Sequence, residues 1–308
     1  MLNYNGRELL EIVLPSLAAQ RYRDFETVVV DDCSTDDSLA YLRAEWPQVR
    51  VLPAGAVNVG VTAALNVAAR AGAGELVALL NNDIELHPHW LGELVDALDR
   101  HPAAASVAGK LIDYHRRGLL DGTGDVLTRR LVAYRRGHGE PDRGQFEREE
   151  EVFAPSAGAA LYRRAAFDLV GGFDESFEAY FEDVDWGLRA QLAGLRCIYT
   201  PSAIAYHMGG ASTGGEANPR YYALHRRNPL GVIVKDVPAG VLARTFPGIL
   251  REQAGALVYS AQHRLLGVHL RALASALRLL PRWLGSRRRI QRTRHADSRR
   301  ILEVLSPR

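Results

Sequence analysis

Cysteine is scarce in this chain: two among 308 residues, Cys33 and Cys197. Two thiols cannot build a disulfide framework or a closed zinc site, and they suit a reducing, cytosolic compartment in which both are simply buried. An excess of either charge is also missing. Lys and Arg number 38 against 36 Asp and Glu, a formal charge of +2. That is too little for the whole molecule to hold nucleic acid by charge, so any basic patch must be local. The opening, Met1 to Gly6 (MLNYNG), has neither the basic start nor the apolar core of a secretion signal. No run of about 18 uninterrupted apolar residues occurs, so a spanning helix is not expected, although a helix lying on a membrane surface is compatible with the sequence. What is present is ordinary for a folded protein. Hydrophobic residues at 47% and charged residues at 24% exclude collagen-like, low-complexity and wholly disordered chains. The length allows one large α/β domain or two smaller ones.

Periodicity then sets the order of elements. Glu8 to Gln20 has apolar residues at helical spacing after the turn-like Asn3-Tyr4-Asn5-Gly6. The strand that should precede Asn3 is represented only by Met1 and Leu2, so it is either very short or truncated. Phe25 to Asp31 reads as a strand ending in acids, and Ser34 to Asp37 caps a helix from Ser38 to Trp46. A strand at Val49 to Leu52, a helix at Thr62 to Ala71 and an apolar strand at Glu75 to Leu80 follow. Trp90 to His101 predicts a helix and Ala104 to Ile112 a strand. Asp113 to Glu151, rich in Gly and Arg, reads as mobile loops or a hairpin excursion. Ala154 to Tyr162 leads to a helix at Arg164 to Val170, another helix starts near Phe181, and short strands are expected at Arg196 to Tyr199 and Ala203 to Tyr206. Strands alternating with helices indicate βαβ units, which bind ligands beyond the carboxyl ends of their strands. Three strands end in polar clusters: Asn3-Tyr4-Asn5, Asp31-Asp32 and Asn81-Asn82-Asp83. These tips should converge on one edge of a single sheet.

Three constellations carry chemistry. Asp83 closes an apolar strand, where a hard divalent cation bridging a diphosphate would stabilise its carboxylate; the alternative is an Asx cluster that merely starts the loop before Pro88. In Glu182-Asp183-Val184-Asp185-Trp186, helical spacing places Glu182 near Asp185 and points Asp183 elsewhere, where it can serve as a general base. An acidic first turn that complements the helix dipole is the competing reading. His207, at the end of a short strand and before a flexible Gly209-Gly210, offers a neutral imidazole to a borderline cation such as Mn²⁺, or is a packed or solvated histidine. Trp186 is a candidate to stack on an acceptor sugar or a core residue.

The ordered set NYNG, VVVDDCSTDDS, NVGVTAALNVA, LLNNDIE, GGFDESFEAYFEDVDWGLRA and YHMGGAST resembles the inverting family 2 glycosyltransferases of the GT-A fold, especially bacterial rhamnosyltransferase-like members that build surface polysaccharides. The resemblance runs from about Leu2 to Asn228. It implies a mixed α/β sheet flanked by helices and an enzyme that takes a sugar from a nucleotide donor, with dTDP-rhamnose favoured. The acceptor would be a glycan or lipid-linked glycan, and Mg²⁺ or Mn²⁺ the cofactor. By the same resemblance Asp31 and Asp32 contact the nucleotide, with Asn3, Tyr4, Asn5, Asn81 and Asn82 around it and Asn58, Gly60 and Asn66 passing near it. Asp83 and His207 hold the metal, and Glu182 and Asp183 form the acidic pair whose second member is the base. Two features depart from the pattern: Asn81 stands where an acid is usual, and the first strand is nearly absent.

Residues 229–308 form the expected helical extension to the 1–228 catalytic domain. Leu273, Leu277, Leu280 and Leu284 recur at helical spacing beside Trp283 and ahead of Arg287-Arg288-Arg289, with Pro281 expected to kink or break the helix. Such a basic helix suits either an anionic membrane surface at the cytoplasmic face or packing on the catalytic domain with a solvated basic side. Two rival functions remain. A sugar-1-phosphate nucleotidyltransferase needs a Gly-rich phosphate loop, of which Asn5-Gly6-Arg7 is a poor version; a degenerate glycan-binding protein is suggested by Asn81 and the short first strand.

Overall fold

The computed structural model describes residues 1–209 and 218–307. Of the segment expected to follow His207, Gly210 to Thr213 lie outside the described residues. The N-terminal half alternates as expected. Leu2–Asn3 (β1) leads to Arg7–Ala18 (α1), Val28–Asp31 (β2) to Ser38–Glu45 (α2), Arg50–Pro53 (β3) to Val61–Ala71 (α3), and Leu76–Leu80 (β4) through Ile84–Leu86 (β5) to Trp90–Arg100 (α4). In α4, Trp90, Leu91, Leu94, Ala97 and Leu98 are buried, one stripe of a 3.6-residue period that seals one sheet face together with α1.

Ala104–Asp113 (β6) is buried along nearly its whole length, as a central strand requires. The expected loop excursion is a set of short strands: Leu120–Gly122 (β7), Asp125–Leu127 (β8), Ala133–Arg135 (β9) and Glu150–Val152 (β10), with β8 and β9 forming a hairpin. Ala159–Arg163 (β11), Arg164–Val170 (α5), Glu182–Leu192 (α6) and Arg196–His207 (β12) complete the sheet region. The two short late strands are one, with a register shift between Tyr199 and Ile204.

The polar tips do not share one sheet. β1, β2 and β3 form a parallel three-stranded sheet, whereas β4 belongs to a mixed sheet ordered β10-β12-β6-β11-β4. A parallel bridge between Leu2 and Asn81 joins them. The tips therefore still meet, across a seam rather than along one edge.

Pro219–Lys235 (α7), Ala239–Gln262 (α8), Leu266–Arg292 (α9) and Ser298–Val304 (α10) follow. The boundary expected between Asn228 and Pro229 falls inside α7. Val232, Val237, Ile249, Trp283 and Ile301 share one core with Phe153, Phe177, Val184 and Leu188, so the C-terminal helices pack into the molecule rather than hang from it. Nor does Pro281 end a helix, since α9 runs through it. Beyond the proline, buried Trp283 and the bonds from Arg287 Nη1 to the carbonyls of Val234 and Val237 hold the helix in place.

Candidate active site

Parallel pairing of Asn3 with Asp31 brings the first two tips together. Asn3 Nδ2 donates to Asp31 Oδ1 at 3.0 Å, and Asn82 Nδ2 donates to Asn3 Oδ1 at 2.9 Å. Gly6 is required beside them, since a Cβ there would meet Asn82 Nδ2 at 2.1 Å and Asn3 Oδ1 at 2.6 Å. Asp31 also accepts from Ser34 N and Oγ, and Asn5 Oδ1 accepts from Thr35 N. Asp32 accepts from Val59 N and Gly60 N at 2.8 and 2.9 Å, and Asn58 Nδ2 donates to its backbone carbonyl. Asn3, Asp31, Asp32 and Asn82 are therefore buried splints that shape the tip, while Tyr4, Asn5 and Asn58 are exposed on it. Gly60 has φ of +85°, a conformation that favours glycine.

Antiparallel pairing of His207 with Ile84 carries the histidine to Asp83. Its Nε2 lies 3.5 Å from Asp83 Oδ2, and its Nδ1 lies 2.7 Å from Asp121 Oδ2. Arg135 pairs with Asp121 and places Nη1 3.2 Å from His207 Nδ1. Burial disfavours the imidazolium, but hydrogen bonds and charges from Asp121 and Asp83 outweigh it and raise His207 to about 9. Burial likewise works against the Asp121 carboxylate, yet His207 and Arg135 hold it below the usual range. Among the described residues no three His, Cys, Asp or Glu side chains gather as a ligand set. The residues nevertheless fit a divalent cation. Asp83 Oδ1 is buried with no partner, an arrangement that costs free energy unless something occupies it. One carboxylate and one imidazole, completed by diphosphate oxygens, suit Mg²⁺ or Mn²⁺, and the cation would displace the imidazole proton.

Asp183 opens α6, with Oδ1 accepting from Val184 N at 2.8 Å and Oδ2 from Ala157 N at 3.5 Å. Burial pushes its carboxyl up, against the pull of those N–H groups. Glu182 is 8% exposed with Oε2 unpartnered, and burial followed by the charge of Asp183 pushes it up to about 8. Asp125 of β8, also buried, shares a side-chain hydrogen bond with Asp183. Burial first, then the charge of Asp183, hold Asp125 well above the usual carboxylate range. Asp185 belongs elsewhere: Arg189 and Lys235 more than offset its burial and hold it ionised.

Two links connect these parts. The loop before β11 donates Ala157 N to Asp183, and its Gly158 carbonyl accepts from Asn81 N at 2.8 Å, two residues before Asp83. Arg135 pairs with Asp121 while its charge acts on both Asp125 and Asp183.

The approach to α6 is strained. Glu178, Tyr180 and Phe181 take φ of 65°, 65° and 69°, which costs about 1–3 kcal/mol each unless the surroundings impose it. Asn228 Nδ2 lies within 3.0 Å of the Phe177, Ala179 and Tyr180 carbonyls, and Arg227 Nη2 donates to those of Ser176 and Phe177. The same loop meets the donor-side tip, where Thr62 N donates to the Glu178 carbonyl at 3.0 Å.

Two expectations need correction. Trp186 is 1% exposed and packs against Tyr162 and Phe167 at centroid distances of 4.9 and 5.8 Å; it is core, and no sugar can stack on it. Asn66 is buried, bonded to Phe173 N and O and to Glu175, so it ties α3 to the Gly171–Asp174 turn. Sequence reasoning missed Asp121, Asp125, Arg135, Arg227 and Asn228. The pair of acids in Asp121-Gly-Thr-Gly-Asp125, on a hairpin signal, was the one available clue.

The pattern of the family described as Glycosyl transferase family 2 matches residues 1–171. The chain belongs to that family. This glycosyltransferase is 31% identical over 252 residues to an N-acetylglucosaminyl-diphospho-decaprenol L-rhamnosyltransferase of Mycobacterium tuberculosis, covering 73% of this chain and 80% of the relative. It is 33% identical over 250 residues to the uncharacterised protein y4gI of Sinorhizobium fredii, where the match covers 72% of this chain but spans only 27% of the relative. Among solved structures, the mannosyltransferase PcManGT of Pyrobaculum calidifontis, in complex with GDP-Man and Mn²⁺, matches with a TM-score of 0.56 at 16% identity, covering 95% of this chain and 84% of that one. At that identity the likeness concerns the fold, which is GT-A.

Proposed function

We propose that this glycosyltransferase moves a sugar, with inversion, from a nucleotide-sugar donor to a hydroxyl of a lipid-linked glycan at the cytoplasmic face of a membrane, in surface polysaccharide synthesis. The rhamnosyltransferase relative supports rhamnose as the sugar moved, for which dTDP-rhamnose is the donor we favour, and the Mn²⁺-bound structural neighbour supports a divalent cofactor. The observation that carries the reading is the loop that contacts Asp183 through Ala157 and the Asp83 tip through Gly158. That loop supports reading Asp183 as a base that serves a diphosphate site at Asp83.

The donor lies over the tip built on Asn3, Asp31, Asp32 and Gly60, with its diphosphate toward Asp83 and His207. Asp83 and His207 would hold a divalent cation, which when bound would offset charge on the departing nucleoside diphosphate. Asp183 takes the proton of the acceptor hydroxyl as its oxygen bonds to the anomeric carbon from the face opposite the leaving group. The electron pair of the broken C–O bond leaves on the diphosphate, and no covalent enzyme intermediate forms. A nucleotidyltransferase is disfavoured because the Asn3–Gly6 segment is tied to Ser34, Thr35 and Asn82 instead of forming a phosphate loop.

Thermal-shift measurements with dTDP-, UDP- and GDP-sugars plus Mn²⁺, followed by transfer assays on a prenyl-diphosphate-linked sugar, test this. The largest shift is expected with dTDP-rhamnose, because a ligand that binds only the folded chain raises its stability. A larger shift with another nucleotide sugar overturns the donor, and binding with no transfer to any acceptor overturns the enzyme reading.

A further inference from the structure

Exposed apolar side chains are concentrated on α8 and α9. Nine of the fourteen large hydrophobics that stand exposed among the described residues lie between Phe246 and Leu284, where a folded chain in water scatters them. In α9 they follow a rule. Leu266, Leu270, Leu273, Leu277, Leu280 and Leu284 succeed one another at intervals of four and three, one continuous seam along the helix. Four of them are 39%, 52%, 69% and 45% exposed (Leu266, Leu270, Leu277 and Leu284). The neighbouring row, His269, Ala272, Ala276 and Trp283, is buried, so α9 has one face used in folding and a second without a partner. On α8, Phe246, Leu250 and Leu257 repeat the pattern at 54%, 58% and 43% exposure.

Charge identifies the occupant. From Ala239 to Arg292 there are ten arginines and one acid, Glu252, and α9 itself has seven arginines and no acid. The rest of the chain is net acidic, so the basic charge is concentrated where the leucines are exposed. Pairing of two copies through this seam would bring together two helices that each carry seven arginines and no acid, whereas paired coiled coils place opposite charges beside the seam. Crossing a bilayer is excluded too, since no helix among the described residues is long and apolar enough. A surface that offers apolar depth beneath negative charge satisfies both features.

We propose that the outward leucine seam of α9, joined by the apolar face of α8, lies on an anionic phospholipid surface, with Arg271, Arg278 and Arg288 at the headgroup phosphates. This deepens the reading of a lipid-linked acceptor, on which it rests for its purpose though not for its physical basis.

Co-sedimentation of the full chain with phosphatidylcholine vesicles, with and without one quarter phosphatidylglycerol, tests it. Binding to the anionic vesicles is expected to be at least about tenfold tighter than to the neutral ones and to weaken at 0.5 M salt. Leu270→Gln/Leu277→Gln and Arg271→Gln/Arg278→Gln should each lower it by about tenfold or more while far-UV circular dichroism and the thermal shift with nucleotide sugar stay unchanged. Equal binding to both vesicles, no binding, or undiminished binding by the leucine variant overturns the proposal. So does a dimer in solution that Leu270→Gln/Leu277→Gln converts to monomer. Because donor binding is read separately, failure of the unsubstituted chain to bind anionic vesicles while its nucleotide-sugar stabilisation is intact refutes the membrane surface and leaves the transferase reading standing.

Discussion

Asp183 and Asp125 share a hydrogen bond, and burial raises both carboxyls. The N–H groups of Val184 and Ala157 offset part of this at Asp183, whereas at Asp125 a neighbouring negative charge adds to it. An amide mimics a protonated carboxyl and not a carboxylate, so substitution should be asymmetric. Asp183→Asn should lose about 10²–10⁴ in kcat and keep donor binding, while Asp125→Asn retains most turnover and Asp125→Ala does not. Equal losses for the two Asn variants in steady-state kinetics would refute the assignment. Glu182 permits a stability test at the same site. Its folded pKa of about 8 lies above the ordinary glutamate value of 4.5, so between those values the unfolded chain holds fewer protons, and stability falls as pH rises through that window. Glu182→Gln removes this fall, and its Tm should exceed the parent's by on the order of 2–4 °C or more at pH 8–9, with the difference vanishing near pH 4. Asp83, Asp183 and His207 were legible because each stands at an element end with a recognisable neighbour. Asp125 and Arg135 were not, since a hairpin inside a Gly/Arg-rich stretch gives no period from which to compute where its side chains point.

At the scale of elements, helices with a clear apolar stripe were read within a few residues, α4 and α3 among them, because burial of one face is what their sequence encodes. Prolines misled. Pro281 sits inside α9, where packing of Trp283 and Arg287 outweighs the lost backbone bond. The junction of α7 with the loop before α6 was illegible for another reason: Asn228 and the carbonyls of Phe177, Ala179 and Tyr180 lie some fifty positions apart, and no local pattern announces such a pairing. That junction has a consequence for rate. Asn228→Ala removes one donor shared by the carbonyls of Phe177, Ala179 and Tyr180 and should cost about 1–3 kcal/mol of stability. It should also let Glu178, Tyr180 and Phe181 relax from their left-handed backbone, turning the start of α6 and lowering kcat by more than it weakens nucleotide-sugar binding, which this loop touches through the bond from Thr62 N to the Glu178 carbonyl. A variant that loses donor affinity and kcat in equal measure would show that the loop does not act through Asp183.

For the whole molecule, the question is whether residues 229–308 are an appendage or part of one cooperative unit. Phe177, Val184, Leu188 and Leu192, at the start and along the body of α6, have Val232, Val237, Ile249 and Trp283 as core partners. The electrostatics run the same way: Lys235 is 1% exposed, with Nζ 2.7 Å from Asp174 and 2.5 Å from Asp185. Removing that ammonium strands buried carboxylates, which by itself costs about 3–5 kcal/mol, a large share of the 5–15 kcal/mol that holds an ordinary domain together. Opening the apolar core adds to this. A chain ending at Asn228 should therefore fail to reach a packed state even though it contains every candidate catalytic residue, whereas the full chain should melt in one cooperative transition. Calorimetry on the full chain, with near-UV circular dichroism and dye binding on the truncated one, decides the matter. Two separated transitions in the first, or a native near-UV spectrum in the second, would make the C-terminal helices an independent part, and burial of Trp283 against Phe177 would then be incidental to folding.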